Sequence, residues 1–245
     1  MSAYKISIRP FGIHSILVEW PARVEETILE DILQFSQHLS QNCLKDEKWE
    51  MVLAYNSLTL IHREKPIAFE SFKNTLLSWY DAERDETIRQ KILWRLPVCY
   101  DLEFGIDLKA VSEYSGLSIE EIIEKHTEKR YTVYGIGFLP GFMYLGGIPE
   151  VLEIPRKSLP RPKVLKGAVG LAGKQTGVYP QDSPGGWNII GNCSVPMFDP
   201  KKEAPCFVNI GDKVQFYAIE RAEYDLHKIE GEVGIYKVEK IMLDA

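Results

Sequence analysis

The chain has 245 residues, 45% of them apolar and 26% charged, a balance that excludes a fibrous repeat or wholesale disorder and suits two cores at about 100–200 residues each. Its 29 lysines and arginines against 35 aspartates and glutamates give a formal charge of −6, which argues against a broad phosphate-binding face and hence against nucleic acid, while leaving room for a local basic patch. The start, MSAYKISIRP, has no apolar core behind a basic flank, and the uncharged stretch 133–148 is short and broken by Pro140 and glycines, so neither a leader nor a membrane span is expected and the cytoplasm is the expected compartment.

Residues 4–9 and 15–20 read as strands about a turn at Pro10 to Gly12, and 50–55 and 58–63 as a hairpin turning at Asn56-Ser57. Val24, Ile28, Ile32, Phe35 and Leu39 recur at helical spacing, as do Phe69, Phe72, Leu76 and Trp79. Two amphipathic helices should therefore cover one face of a small sheet, an α/β sandwich of residues 1–90 with no evident chemistry. The polar run DAERDETIRQ at 81–90 suits a solvated hand-over to a second domain, 91–245.

That domain opens on a strand-like stretch, 91–100, followed by helices near 107–114 and 119–126. Ser118 with Glu121 matches a capping box and Gly116 a helix stop. The pair superficially resembles a helix-turn-helix, but Glu120, Glu121 and Glu124 would repel phosphates, so a structural helical hairpin is the better account. Twelve of the eighteen glycines and nine of the fourteen prolines then fall between 135 and 200, a density that implies short strands and tight turns, as in a β-barrel or sandwich. Further strands are expected at 206–210, 213–219 and 234–242.

Familiar motifs fail in the glycine-rich block. Gly135-Ile136-Gly137 has Pro140 where a dinucleotide loop needs glycine; Gly173-Lys174 is followed by Gln175 where a phosphate loop needs Ser or Thr; no G-x-S-x-G is present. Cys43, Cys99, Cys193 and Cys206 form no C-x-x-C, and His14, His38, His62, His126 and His227 no H-x-x-x-H, so reduced thiols and no metal site are expected. Arg161, Gln175, Thr176 and Tyr179 remain as donors suited to a carboxylate or amide. They lie beside Gly141, Gly173, Gly177, Gly185 and Gly186, whose missing side chains let a backbone approach a ligand. Phe138, Phe142 and Trp187 are candidate walls for a small ring. Lys166 and Lys174 read as solvated, and Asp101, Asp182 and Asp199 as turn residues, so no general base is evident.

The segments GIHSILVEW at 12–20, LPVCYDLEFGIDL at 96–108, QTGVYPQDSPGGWNIIG at 175–191 and Gly211-Asp212 together resemble the 5-oxoprolinase B-subunit family, also called KipI or allophanate hydrolase subunit 1. The resemblance implies an α+β chain, with a small N-terminal α/β domain before a C-terminal cyclophilin-like β-barrel. It implies work beside a second cyclophilin-like subunit, the KipA-like C component, and beside a third, the A component, in the ATP-dependent opening of 5-oxoproline to glutamate. The single chain is then expected to be inactive. Relatives of this kind also imply two alternatives: inhibition of a sensor histidine kinase, or a place in an allophanate- or urea-type amide hydrolase or carboxylase. For ring opening, Arg161, Gln175 and Thr176 are the expected donors to carboxylate and oxyanion. The stretch after Gly211-Asp212 is longer than the resemblance leads one to expect.

Overall fold

The computed structural model describes residues 4–82 and 90–243; 83–89, most of the expected hand-over, lie outside the described residues. The chain divides into two units, Met1–Arg89 and Gln90–Ala245, and its architecture is mixed α+β with three sheets. Among the described residues no helix is long and apolar enough to cross a membrane.

In the first unit, β1 (Ser7–Pro10), β2 (Ser15–Glu19), β3 (Trp49–Ala54) and β4 (Ser57–His62) form an antiparallel sheet in the order β1-β2-β4-β3. Ile16, Val18, Leu58 and Leu60 point to the buried face, as period-2 alternation demands. Helices α1 (Glu26–His38) and α2 (Phe69–Asp81) supply Ile28, Ile32, Phe35 and Leu76 to the same core. Val24 is exposed and precedes α1, so the apolar stripe begins one turn later than its spacing suggests. Ala54 pairs with Ser57, which moves the hairpin turn to Tyr55-Asn56, with Tyr55 at φ 51°. Buried Asp31 accepts hydrogen bonds from Trp20 Nε1 and Tyr80 Oη, each at 2.6 Å, the partners a carboxylate needs once removed from water.

The second unit holds β5 (Ile92–Val98), α3 (Leu108–Ser115), α4 (Ile119–Glu128), β6 (Tyr131–Ile136) and β7 (Met143–Gly146). There follow β8 (Arg161–Val164), β9 (Ala168–Ala172), β10 (Gln175–Val178), β11 (Ser183–Gly185) and β12 (Asn188–Asn192). The last elements are β13 (Lys213–Ala218), α5 (Arg221–Glu232) and β14 (Glu239–Met242). Eight strands join in the order β12-β9-β10-β7-β6-β13-β5-β14, while β8 and β11 form a separate ribbon. The β5–β13 pair is parallel and the other ladders are antiparallel. Ser118 and Glu121 cap α4 reciprocally, and Gly116 closes α3 at φ 72°, as their spacing predicts.

Two expectations fail here. Residues 206–210 form no strand; this stretch is tied instead by Asp212, whose Oδ2 accepts from the Asn209 amide and from Trp94 Nε1. Between β13 and β14 lies α5, unforeseen because only Tyr224 of its twelve residues is buried and its apolar positions give little core-facing signal.

The sheet's alternation decides what faces what. On β10, Thr176 points to the main core with Leu145 and Leu171, whereas Gly177 points to the opposite face, where Phe142 and Trp187 pack.

Candidate functional site

The PRKSLPRPKV segment reaches the second face of the sheet through ribbon β8–β11, in which Arg161 stands opposite Gly185. The Lys157 amide donates to Gly186 O at 2.8 Å, and Asn188 Nδ2 donates to Pro155 O and Leu171 O. These bonds strap the prolines onto the strands below.

Arg161 Nη2 lies 2.6 Å from Asp107 Oδ1, and Nη1 is 3.4 Å from Trp187 O. Lys157 Nζ is 2.9 Å from the same Asp107 oxygen, and Asp107 Oδ2 accepts from the Ile189 amide at 2.7 Å. Asp107 precedes α3 without capping it by its side chain; its carboxylate is spent on the far strand. Burial pushes that carboxyl up, but the bonds from Arg161, Ile189 and Lys157 outweigh burial and hold it below the usual aspartate range. Two cations about one carboxylate leave a net positive centre, and both are only about a quarter exposed, at 26% for Arg161 and 27% for Lys157. A small cleft of about 80 Å³ beside it is lined by Arg161, Lys163, Ile106 and Leu165. Such a centre can recognise an anion, a carboxylate above all.

Behind it the aromatic residues of the glycine-rich block converge. Phe142 meets Phe138, Tyr144, Tyr179 and Trp187 edge-on, with ring centroids 5.6, 5.0, 5.4 and 5.4 Å away. Phe142, Tyr179 and Trp187 are buried, so they form the body of this wall, while Phe138 is 63% exposed at φ 68°. The space beside three of the glycines is filled by protein. A Cβ on Gly185 would sit 2.4 Å from Tyr179 Oη, on Gly177 2.7 Å from Met143 O, and on Gly141 2.8 Å from Met197 O. Gly173, at φ 56°, turns the chain between β9 and β10 with open space beside it, and Gly186 makes only ordinary contact.

Thr176 lies apart from this cluster, on the other face. Its hydroxyl donates to Gly170 O at 3.1 Å, so it accepts from His126 Nε2 at 3.0 Å, and His126 Nδ1 accepts from Tyr100 Oη at 2.7 Å. His126 stacks on Phe216, and complete burial lowers its pKa to about 3, so the ring is neutral. Gln175, half-buried, begins β10 opposite Gly146. The structure thus gathers Arg161, Tyr179, Trp187, Phe142 and Phe138 into one region and sets Thr176 behind the sheet. Sequence reasoning missed Asp107 and Lys157, and the Tyr100–His126 pair. Asp107 reads as a helix start, and nothing in its spacing ties it to Arg161. Asp182 and Asp199 accept backbone amides in turns, and no cluster of metal-ligating groups exists among the described residues.

The family described as carboxyltransferase domain, subdomain C and D, matches residues 6–208. The B subunit of the 5-oxoprolinase of Bacillus subtilis is 40% identical over 192 residues, 74% of this chain and 80% of that protein. The urea amidolyase of Saccharomyces cerevisiae is 26% identical over 249 residues, 95% of this chain and 12% of that enzyme. Among solved structures, TTHA0988 superposes with a TM-score of 0.71 at 31% identity; the match covers 87% of this chain and only 40% of that one.

Proposed function

The chain belongs to the carboxyltransferase subdomain C and D family and, within it, to the 5-oxoprolinase B-subunit proteins, and from that membership we propose that it is the B subunit of an ATP-dependent 5-oxoprolinase. The complex opens the lactam of 5-oxoproline to L-glutamate in the cytoplasm, and its other members are a second cyclophilin-like subunit, the C component, with a third, the A component. In this reading the second unit is a cyclophilin-like β-barrel module, a reading supported by its eight-stranded sheet of mostly short, antiparallel strands.

Lys157 and Arg161, held by Asp107, orient the substrate carboxylate. The Phe142–Trp187–Tyr179 wall behind Arg161 keeps these donors in place. Thr176 acts through its bonds to His126 and Gly170, fixing β10 without touching the ring. ATP supplies the activation that a poorly electrophilic lactam needs. The residues here do not fit its phosphates: Gly173-Lys174 turns between two strands and opens no helix N-terminus. No step on this chain runs through the nucleotide.

The observation that carries the reading is that Asp107, Lys157, Arg161 and the aromatic wall all lie inside the span shared with the family. The test is 5-oxoproline-dependent phosphate release by the chain alone and mixed with its two partners. Release only from the mixture is expected; a verified, assembled complex that leaves the lactam closed overturns the reading. The amidolyase likeness, which runs over nearly the whole chain, favours urea-derived amides as the second substrate class to offer that complex.

A further inference from the structure

Helix α5 has two apolar sides, and the fold uses one of them. Toward the protein it presents buried Tyr224, whose Oη donates to Asn192 Oδ1 at 3.0 Å, and Gly231, where an added Cβ would stand 3.0 Å from Pro196. At helical pitch the opposite side carries Ala222, Leu226, Ile229 and, at the C-cap, Val233, spaced four, three and four. Leu226, Ile229 and Val233 are 53%, 59% and 65% exposed. Past them the chain turns at Gly234, φ 78°, and the Ile235 amide donates to Glu230 O at 2.9 Å. That closure returns Ile235, also exposed, to the same end of the helix. A lone exposed leucine is ordinary on a protein surface, whereas a contiguous stripe at helical spacing marks an interaction site.

The charges beside the stripe say what can cover it. Glu223 and Glu230 border it on one side, Asp225 and Glu232 on the other. Glu223 and Glu230 share one imidazole, that of His227, at 3.3 and 3.0 Å, and Asp225 shares Arg221 with Glu103, so both borders stay net acidic. Lys228 stands farther round, lining a cleft on the buried side with Tyr224. A second copy of the chain is a poor match. Packing two α5 helices antiparallel with Leu226 against Ile229 sets Asp225 of one opposite Glu232 of the other, and Glu223 opposite Glu230. A parallel pair also brings acidic border to acidic border, and like charges so placed oppose association.

We propose that the outer face of α5 docks an amphipathic helix of another protein, one whose apolar stripe is bordered by lysines and arginines. The apolar residues of the two helices interdigitate along the stripe, and the basic borders of the partner pair with Glu223, Asp225, Glu230 and Glu232. The site stands apart from the lactam chemistry. No residue of the Asp107 centre lies on α5, and the helix falls beyond residues 6–208, the span shared with the family.

The experiment is titration of the purified chain, followed by fluorescence anisotropy, with two labelled synthetic helices of about 18 residues. Both carry leucines at four-three-four spacing; one has lysines along the borders of the stripe and the other glutamates. The lysine peptide binds saturably and at least ~10-fold tighter than the glutamate peptide. Leu226→Gln and Ile229→Gln, which keep helix propensity, each weaken it by about 5-fold or more without moving the thermal melt. Glu232→Lys narrows the preference between the peptides, and Ile13→Gln, at an exposed apolar position of the first unit, changes nothing. Equal binding of the two peptides, no saturable binding, or full affinity in both stripe variants overturns the assignment. So does self-association of the chain that Ile229→Gln abolishes, which gives the stripe to a second copy. Binding to phosphatidylcholine or phosphatidylglycerol vesicles that Ile229→Gln abolishes gives it to a lipid surface and overturns the assignment equally.

Discussion

Asp107→Asn removes one charge and almost no volume from the carboxylate that Arg161, Lys157 and the Ile189 amide share. An asparagine offers one acceptor oxygen, so its amide hydrogens must face either a cation or a buried N–H. Hydrogen bonds to a charged group contribute about 1.5–3 kcal/mol each. The two cations are partly exposed, and water recovers some of their loss, so the net cost is about 2–3 kcal/mol. The readout is hydrogen–deuterium exchange at the Ile189 amide, whose acceptor is lost; local opening should speed exchange about 30- to 150-fold, at roughly 1.4 kcal/mol per factor of ten. Segment Ser57–His62 of the first unit serves as the internal control and stays unchanged. The sign with pH follows from the depressed Asp107 pKa. Its stabilisation is complete above the unfolded value near 4 and is lost as pH falls through the lower folded value, so parent and variant converge in acid. An Ile189 rate within threefold of the parent at pH 7 refutes this account of the centre.

His126 must unfold before it takes a proton, because its folded pKa near 3 lies below the unfolded value of about 6.5; the stability it contributes is present above pH 6.5 and decays as pH falls. From pH 7 to pH 5 that loss is about 2 kcal/mol in urea unfolding of the second unit, and His126→Asn abolishes the difference; an equal pH slope in parent and variant contradicts the buried neutral ring. Gly185→Ala drives a Cβ to 2.4 Å from Tyr179 Oη and lowers stability by about 1–3 kcal/mol. Gly173→Asn, with positive φ but open space, costs under about 1 kcal/mol, and thermal melts that rank the two in the opposite order would show that the aromatic wall yields.

Much of the first unit was legible because its signals are local. Ile16 and Val18 alternate with exposed neighbours, Ile28, Ile32 and Phe35 repeat at helical spacing, and each pattern names the face that must leave water. The hairpin turn slipped by one residue because register, set by pairing along β3 and β4, outranks turn propensity. Ser118 and Glu121 were readable for the same local reason. By contrast, α5 presents mostly charged and exposed residues, and what holds it is Tyr224 reaching Asn192, a partner 32 residues away.

Residue order alone carried the two-part texture, the short strands of the glycine-rich block and the motifs that mark the family. Arg161, Trp187 and Tyr179 were nameable because they stand in those motifs. It took the folded chain to show that Arg161 is held by Asp107, 54 residues away, that Thr176 turns from the aromatic wall toward His126, and that the glycines make room for protein side chains and carbonyls. The difference is one of range. Period and capping act within a few residues of chain, whereas the convergence of charges and the filling of a glycine's space depend on strand register and packing between distant segments. A one-residue change of register on β10 would exchange the faces of Thr176 and Gly177.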